Sequence, residues 1–344
     1  MSQGWRFVLV LFVSIVLTQS ALPWARADES PKASAVPETA IAPDSQPDAA
    51  PVEKYKLAFK FRPSQIVHQE ISYESEMTTH KNQDTEIVRN SSKSRRHHRV
   101  LAVDEKSGVG DLEVTVDWVH MLASFDNGEG TNIEPIEFQS DDPNKQPEKF
   151  RQILSKIGKH DRLRFSPAGA PVKTSNGAPA KADPAAPVTD GSLEAYLIPL
   201  PEQPVAVGDA WLERFDVLTR DINKNPVKIS LKRTYTLTQV KNGRAVIELR
   251  TAILTPVNDA AIAAQLIERE IVGKVTFDIE HGWIASREWS VDNTIINPVG
   301  DNSSMRVKTR YREKLLGSEA TAVREAKTRP IHQPGNQPVA TSKQ

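Results

Sequence analysis

The eight histidines are the residues of this chain best suited to metal binding or proton transfer. None of them forms an HxxxH or HExxH spacing, which would place two ligands on one helix face. His97 and His98 are adjacent, so in a strand they point to opposite faces and cannot bind one ion together. His120 continues the alternating apolar phase of Val114 and Trp118, which fits a buried ligand or base, or more often a satisfied histidine at the core rim. We therefore predict no metal site.

Motifs for nucleophilic or cofactor chemistry are also missing from the sequence. It contains no GxSxG nucleophile elbow, no Walker A loop and no GxGxxG loop, and Gly108-Val109-Gly110 is typical of a hairpin turn. Asp141 and Asp142 lie in a polar loop, where helix capping is a more common role than acid catalysis. The chain has no cysteine, which excludes thiol chemistry, disulfides and a lipid-modified cysteine anchor. We predict no catalytic residue and no cofactor, which favours a non-catalytic protein.

Basic residues are spaced to form a surface. Five of them occupy every second position of one segment, so in a strand they share a face. They are Arg306, Lys308, Arg310, Arg312 and Lys314. We call this set the basic stripe and predict that it is a binding surface for an anionic polymer or lipid headgroups.

Neutralisation by neighbouring strands is the alternative for the basic residues. Residues 93–99 form a second basic segment, and Glu70, Glu74 and Glu76 precede it in a strand that could pair with it. The whole chain has 44 basic and 44 acidic residues, and removal of residues 1–27 leaves 42 and 44. Because nucleic-acid binding normally appears as a basic domain, this balance argues against a nucleic-acid partner.

The elements that would position these residues are mainly strands. Apolar and polar residues alternate in residues 55–61, 67–77, 112–118, 245–253, 275–279 and 305–315, which is typical of antiparallel sheet with one buried face. Two segments instead have helical spacing. In the first, Phe150, Ile153 and Ile157 precede Gly158; the second has its apolar stripe in residues 262–271, after a cap at Asn258 or Asp259.

The order hairpin, loop, helix, strand and glycine turn occurs twice. We therefore predict a mainly β, α+β fold made of two antiparallel modules, residues 54–173 and 192–316, each with one packed helix. Pairing of the two modules edge to edge would instead give one continuous curved sheet and remove two exposed edges.

The remaining segments have the composition of targeting and disordered regions. Residues 1–27 combine Arg6, an apolar run and the small-x-small site Ala25-Arg26-Ala27, which predicts a cleaved signal peptide rather than a permanent membrane anchor. Residues 28–53, 174–191 and 317–344 are rich in Pro, Ala and polar residues, and we predict a disordered leader, a linker and a disordered tail. The expected location is periplasmic or extracellular.

Residues 200–211, read as LPEQPVAVGDAW, contain the pattern P-x-x-P-V-x-V-G-D-x-W. This segment resembles one that opens the second half of a family of exported bacterial proteins of unknown function. Residues 254–273 are similar to the block that follows it, and the resemblance covers most of residues 54–316. It implies architecture and export, and it brings no catalytic residue.

Three functions remain as hypotheses, and the third is an enzyme. The first is a non-catalytic binding or scaffolding protein of the bacterial cell envelope, whose partner is an envelope protein, a wall polymer or a lipid. The second is a carrier that holds a lipid or other apolar ligand between a curved sheet and its helices. The carrier needs unfilled space beside apolar side chains, so cavity volume separates the two hypotheses.

Overall fold

The computed structural model of the chain describes residues 53–128, 133–172 and 196–318. The predicted signal peptide, with Ala25 and Ala27, lies outside the described residues, as do the predicted linker 174–191 and nearly all of the predicted leader and tail. In the described ranges, no helix has the length and hydropathy that a membrane crossing requires.

Strands account for most of the described chain. They are β1 Lys54–Tyr55, β2 Ile66–Lys81, β3 Asp84–Val103, β4 Gly110–Asp126, β5 Ile133–Gln139, β6 His160–Phe165, β7 Val205–Ala206, β8 Ala210–Arg220, β9 Pro226–Lys241, β10 Arg244–Ile253, β11 Val272–Asp278, β12 Trp283–Ile296 and β13 Ser303–Ser318. Within the described residues, the α-helices are α1 Arg151–Leu154 and α2 Ala260–Leu266, and 3₁₀ turns form at Pro143–Lys145 and Glu148–Phe150.

Ten of these strands form one antiparallel sheet in the order β5-β4-β3-β2-β13-β12-β11-β10-β9-β8, and β6 joins it on β4. The two ends of the long β4 pair with different partners, β6 near Leu112 and β5 near Met121. Strands β1 and β7 form a separate two-stranded pair. Since β13 pairs with β2 from Lys81 to Val67, the two halves of the chain are joined in one sheet. The mainly β, antiparallel prediction is confirmed, whereas a division into two modules is not.

One face of the sheet carries the core. We call the face with Tyr73, Leu112, Leu249 and Tyr311 the inner face, and the opposite one the outer face. Helix α2 packs Ile262 and Leu266 against the inner residues of β8 and β9. At the other end of the sheet, Phe150 and Ile153 pack on Val119 and Phe138. The covering elements therefore lie on the inner face.

The segment 55–61 differs from its predicted form as a strand. Only Lys54 and Tyr55 pair as a strand, and the following residues cross the inner face. Leu57, Phe59 and Phe61 are buried there, while the backbone N–H of Phe59 donates to the Pro167 carbonyl at 2.7 Å. Apolar and polar residues do alternate in this segment. The alternation arises because every second side chain is buried against the sheet, and not because the segment is one of its strands.

The helices are shorter than their apolar spacing predicted. The first consists of a 3₁₀ turn and the four residues of α1, and Gly158 then turns the chain with φ 74°. The N–H of Gly158 donates to the Val116 carbonyl at 2.9 Å, which returns the chain to β4. In α2, Asp259 caps the first turn by accepting from the N–H of Ala261 at 2.7 Å, as predicted. Because both helices are short, the α+β description is not confirmed.

A bulge in β4 changes the predicted phase of His120. Arg95 and Arg96 of β3 pair with Trp118 and Val116, so Asp117 is the extra residue. After the bulge, the fully buried residue is Val119, and His120 moves to the outer face. The prediction that His120 follows the apolar phase of Val114 is therefore wrong.

Candidate functional site

An open groove of about 860 Å³ lies on the outer face of β9–β13. Strand pairing places its lining residues in two rows across the sheet. One row is Thr234, Arg250, Val272, Ser290 and Arg310, and the other is Thr236, Glu248, Lys274, Glu288 and Arg312. The rows are neighbours because successive outward-facing side chains of a strand are two residues apart.

The groove lining has an excess of positive charge, with five basic and two acidic side chains. Lys274 and Glu288 form an ion pair at 2.9 Å. Among the residues that the structure describes, Arg250, Arg310 and Arg312 have no ion pair within 4.0 Å. These guanidinium groups keep their donors for a ligand, and guanidinium matches carboxylate and phosphate geometry.

Gly273 is part of the floor of the groove. It lies on the inner-face register between Leu249 and Trp289, where a side chain would normally stand. A Cβ atom added there would lie 2.6 Å from the Cβ of Trp289 and closer still to the Glu288 carbonyl. The close approach of β11 to β12 therefore requires glycine at this position.

The basic stripe is exposed along β13, but its members have different surroundings. Arg306 binds Asp292 through two contacts of 2.8 and 2.9 Å, and Lys314 lies 3.2 Å from Glu70. The hydrogen bond from Arg306 lowers the pKa of Asp292. Lys308 is opposite Asp292 and Glu76 in the strand register. Only the remaining two, Arg310 and Arg312, line the groove.

A second group of charges is buried on the inner face and is closed to ligands. Glu313 accepts from Arg287 Nε at 3.1 Å, from Tyr311 at 2.7 Å and from Gln69 at 2.7 Å. Arg96 lies 3.3 Å from the same carboxylate. Burial alone would raise the pKa of Glu313, but Arg287 and Arg96 outweigh it and hold that pKa below its ordinary value. In this cluster, the negative charge of Glu313 offsets the buried positive charges of Arg287 and Arg96.

Strand pairing also assembles a histidine cluster that spacing along the chain did not reveal. His68 of β2 and His97 of β3 are direct cross-strand partners, and the bulge directs Asp117 toward them. His97 Nδ1 lies 2.8 Å from Asp117, and this hydrogen bond raises the pKa of His97. One ligand atom from each residue lies within 4.8 Å of the others, so the group could hold a metal ion. Register, rather than motif spacing, is the signal that could have identified it.

The other residues singled out from the sequence have local roles. His120 Nε2 is 2.9 Å from Glu137, and Asp141 accepts from Trp118 Nε1 at 2.8 Å. Asp142 caps a 3₁₀ turn through the N–H of Asn144, which confirms the capping interpretation. His98 is completely buried on the inner face beside Trp283.

Comparison with protein families gives one match. Residues 188–284 match a family of unknown function (DUF6263), and this stretch contains the segment 200–211. The match is narrower than the resemblance over residues 54–316, and it assigns no activity. A comparison with curated protein sequences gives no match.

Solved structures give distant similarities only. A structure titled as lipid–protein interactions in lipovitellin is 10% identical with a TM-score of 0.43, and the alignment covers 82% of this chain but 27% of that one. OccK7 (OpdD) of Pseudomonas aeruginosa is 6% identical with a TM-score of 0.25, and the alignment covers 73% of this chain and 99% of that one. A DUF1329 family protein of Desulfovibrio piger is 8% identical with a TM-score of 0.12, and the alignment covers 70% of this chain and 83% of that one. This chain thus spans about a quarter of the lipovitellin chain.

Proposed function

We propose that this protein is an exported, non-catalytic binding protein of the bacterial cell envelope, and that the outer-face groove holds an extended anionic ligand. The observation that carries the proposal is the presence of Arg250, Arg310 and Arg312 in one groove, with no ion pair within 4.0 Å among the described residues. We propose an acidic wall polymer as this ligand. An acidic segment of an envelope protein and anionic lipid headgroups present related charges and are outcomes that the test distinguishes.

The distribution of elements between the two faces supports this function. Both helices and the segment 55–61 pack on the inner face, which leaves the outer residues of β9–β13 exposed. The strands already fix the backbone spacing of these arginines, so the ordering that a ligand must impose is limited to their side chains. Val272, at 55% exposure, adds an apolar contact at the centre of the groove.

Inner-face packing counts against the carrier hypothesis. A lipid carrier needs space between sheet and helices, yet the residues under α2 and under the segment 55–61 form continuous buried clusters. The inner recess beside Pro199, Arg233 and Trp289 has a volume of about 20 Å³. That space accommodates about one water molecule and no acyl chain.

Two double variants on the same strand test the groove. Arg310→Gln with Arg312→Gln removes two charges from it, and Arg306→Gln with Lys314→Gln removes two charges from paired positions outside it. Binding to isolated envelope would be measured by co-sedimentation at low and high salt, since screening weakens exposed charge contacts. We expect the groove variant to lose about tenfold or more in affinity and most of its salt dependence.

The control variant should bind within about twofold of wild type. Equal losses in both variants would show that net charge matters rather than the groove, and unchanged binding of the groove variant would refute the proposal. Purified peptidoglycan-associated polymer, anionic vesicles and envelope protein extract, assayed separately, distinguish the three ligand sources. Export is tested by N-terminal sequencing of mature protein, which should begin at Asp28 if cleavage follows Ala27.

A further inference from the structure

We propose that His68, His97 and Asp117 form a binding site for a zinc ion or a similar late first-row divalent cation. The three residues lie on the outer face of β2, β3 and β4, on different strands from those that line the groove. The proposal is therefore independent of the function proposed above.

The donor set suits such an ion. Two imidazoles and one carboxylate are common zinc ligands, and three protein ligands leave a fourth position for water. Calcium and magnesium favour sites made entirely of oxygen ligands, which this site is not.

The geometry requires only a small adjustment. One ligand atom from each residue lies within 4.8 Å of the other two. Ligand atoms around a tetrahedral zinc ion, each at about 2.0–2.2 Å from it, lie roughly 3.4 Å apart. The separation that zinc requires therefore falls inside the 4.8 Å limit, and small changes in side-chain torsions would bring the three atoms to it without moving the strands.

His68 supplies a second observation. Its Nε2 is shielded from solvent and has no hydrogen-bond partner among the described residues. A buried polar nitrogen without a partner costs free energy, and a metal bond would satisfy it. The His68 and His97 rings lie with their centroids 5.6 Å apart, so the two imidazoles already face a shared space.

Surrounding charges favour a cation. Asp117 and Glu113 are the acidic groups that act on His97, and Arg99 is the basic one. With neutral imidazoles, the two negative charges of Asp117 and Glu113 exceed the one positive charge of Arg99, and a bound divalent ion would make the net charge of the group positive. Zinc bound by both groups would replace the hydrogen bond that Asp117 accepts from His97, and the shared proton would be released.

The chain provides a matched control. His120 and Glu137 are also a histidine–carboxylate pair, at 2.9 Å, and they share the same sheet. In the described ranges, they belong to no group of three possible ligands. Replacement of His120 therefore removes a comparable contact without removing a ligand of the proposed site.

The test uses untagged full-length mature protein, treated with chelator and dialysed, because a polyhistidine tag would itself bind zinc. Zinc chloride is titrated by calorimetry into wild type, His68→Gln, Asp117→Asn and His120→Gln. We expect one zinc ion per chain in wild type, a loss of about tenfold or more in affinity for His68→Gln and Asp117→Asn, and a change within twofold for His120→Gln.

Cobalt absorption spectra of wild type provide a reading that does not depend on variant folding. A tetrahedral site with imidazole and carboxylate ligands gives intense visible bands, whereas aqueous cobalt is octahedral and weakly absorbing. Circular dichroism checks that each variant is folded. Absence of stoichiometric zinc binding in wild type, an octahedral cobalt spectrum, or full affinity in a folded His68→Gln variant would each overturn the site.

Discussion

Glu313 links several buried groups at the centre of the inner face. Its carboxylate contacts Arg287, Arg96, Tyr311 and Gln69, and it is 2% exposed. Two guanidinium groups share this one acid, so its loss would remove a counter-charge from both buried cations. A buried pair of this kind contributes little when compared with apolar packing, but breaking it is costly.

We expect Glu313→Gln to lower the free energy of unfolding by about 3–5 kcal/mol, because two buried cations lose their carboxylate. Urea unfolding followed by tryptophan fluorescence measures the loss. Glu288→Gln removes an exposed ion pair with Lys274 and should cost no more than about 1 kcal/mol. Equal effects of the two substitutions would show that the inner cluster carries no special cost.

Stability should also depend on pH through His98. Burial, followed by the charge of Arg96, lowers the pKa of His98 well below its ordinary value. As pH falls below about 6.5, the unfolded chain takes up a proton at this position and the folded chain does not. Stability from this residue is therefore fully present above that pH and is lost as pH decreases, by about 1.4 kcal/mol per pH unit.

The variant His98→Leu should remove this dependence. We expect the free energy of unfolding of wild type to fall more steeply between pH 6 and 5 than that of the variant, by about 1.4 kcal/mol per unit. Chemical unfolding at closely spaced pH values measures both slopes, and data at pH 8 give the common reference. Parallel slopes would mean that His98 takes up a proton in the folded protein.

At this scale, sequence reasoning was accurate where the neighbours are local. The alternation of Arg306 and Val307 correctly indicates opposite faces, as the burial of β13 shows. The phase of His120 could not be predicted, because the bulge at Asp117 depends on pairing with β3. The His68–His97 pair was missed for the same reason, since it joins residues of different strands.

Among the elements, the segment 55–61 has an effect beyond its length. Phe59 contacts Phe277 and Trp283, with ring centroids 5.4 and 5.8 Å apart, so residues near the start of the described chain complete the core of the second half. Gly282 allows this approach, with φ 65° and a position where a Cβ would lie 2.5 Å from the backbone N of Lys60.

Truncation tests the role of this segment. A chain that begins at Lys54 should keep the unfolding midpoint of a chain that begins at Asp28, because it retains Leu57, Phe59 and Phe61. A chain that begins at Gln65 should bind the dye ANS and lose its sharp transition, since an apolar face is exposed. Phe59→Ala should cost about 3–5 kcal/mol. Unaltered unfolding of the chain that begins at Gln65 would show that the segment 55–61 does not contribute to the stability of the sheet.

The sequence predicts most strands of the sheet because one buried face imposes strict alternation. It also predicts the turn between β9 and β10, because Asn242 and Gly243 are residue types that readily adopt the positive φ angles found there. Helix lengths were overestimated, since the apolar spacing at Phe150 and Ile153 is satisfied by one turn lying on Phe138. Segment 55–61 was assigned as a strand because burial against a sheet gives the same alternation as membership in one.

For the whole molecule, the β2–β13 pairing makes two separate modules energetically unfavourable. The inner-face core runs without interruption from Phe61 and Val100 to Tyr235 and Ile247. Separation of the halves would expose this core and two long strand edges together. The described sheet should therefore unfold as a unit.

Differential scanning calorimetry should give one transition, with the van't Hoff enthalpy equal to the calorimetric enthalpy. Residues 54–173 and 192–316, expressed as separate fragments, should each lack a cooperative transition and regain one when mixed, if they associate. Two resolved transitions, or a fragment that unfolds cooperatively alone, would instead support the two-module interpretation.

The seam between β2 and β13 also determines when the protein can acquire its structure during synthesis. Gln69 and Glu313 touch across this seam although they are 244 positions apart in the chain. The ribosome releases β2 long before β13 is synthesised. One edge of β2 and the apolar groups beside it therefore stay unpaired until β13 is available. Contacts of such long range also slow folding, because the entropy of loop closure is lost before they form. Completion of the sheet is therefore late relative to the synthesis of β2, and the nascent chain has a long interval in which chaperones can engage it.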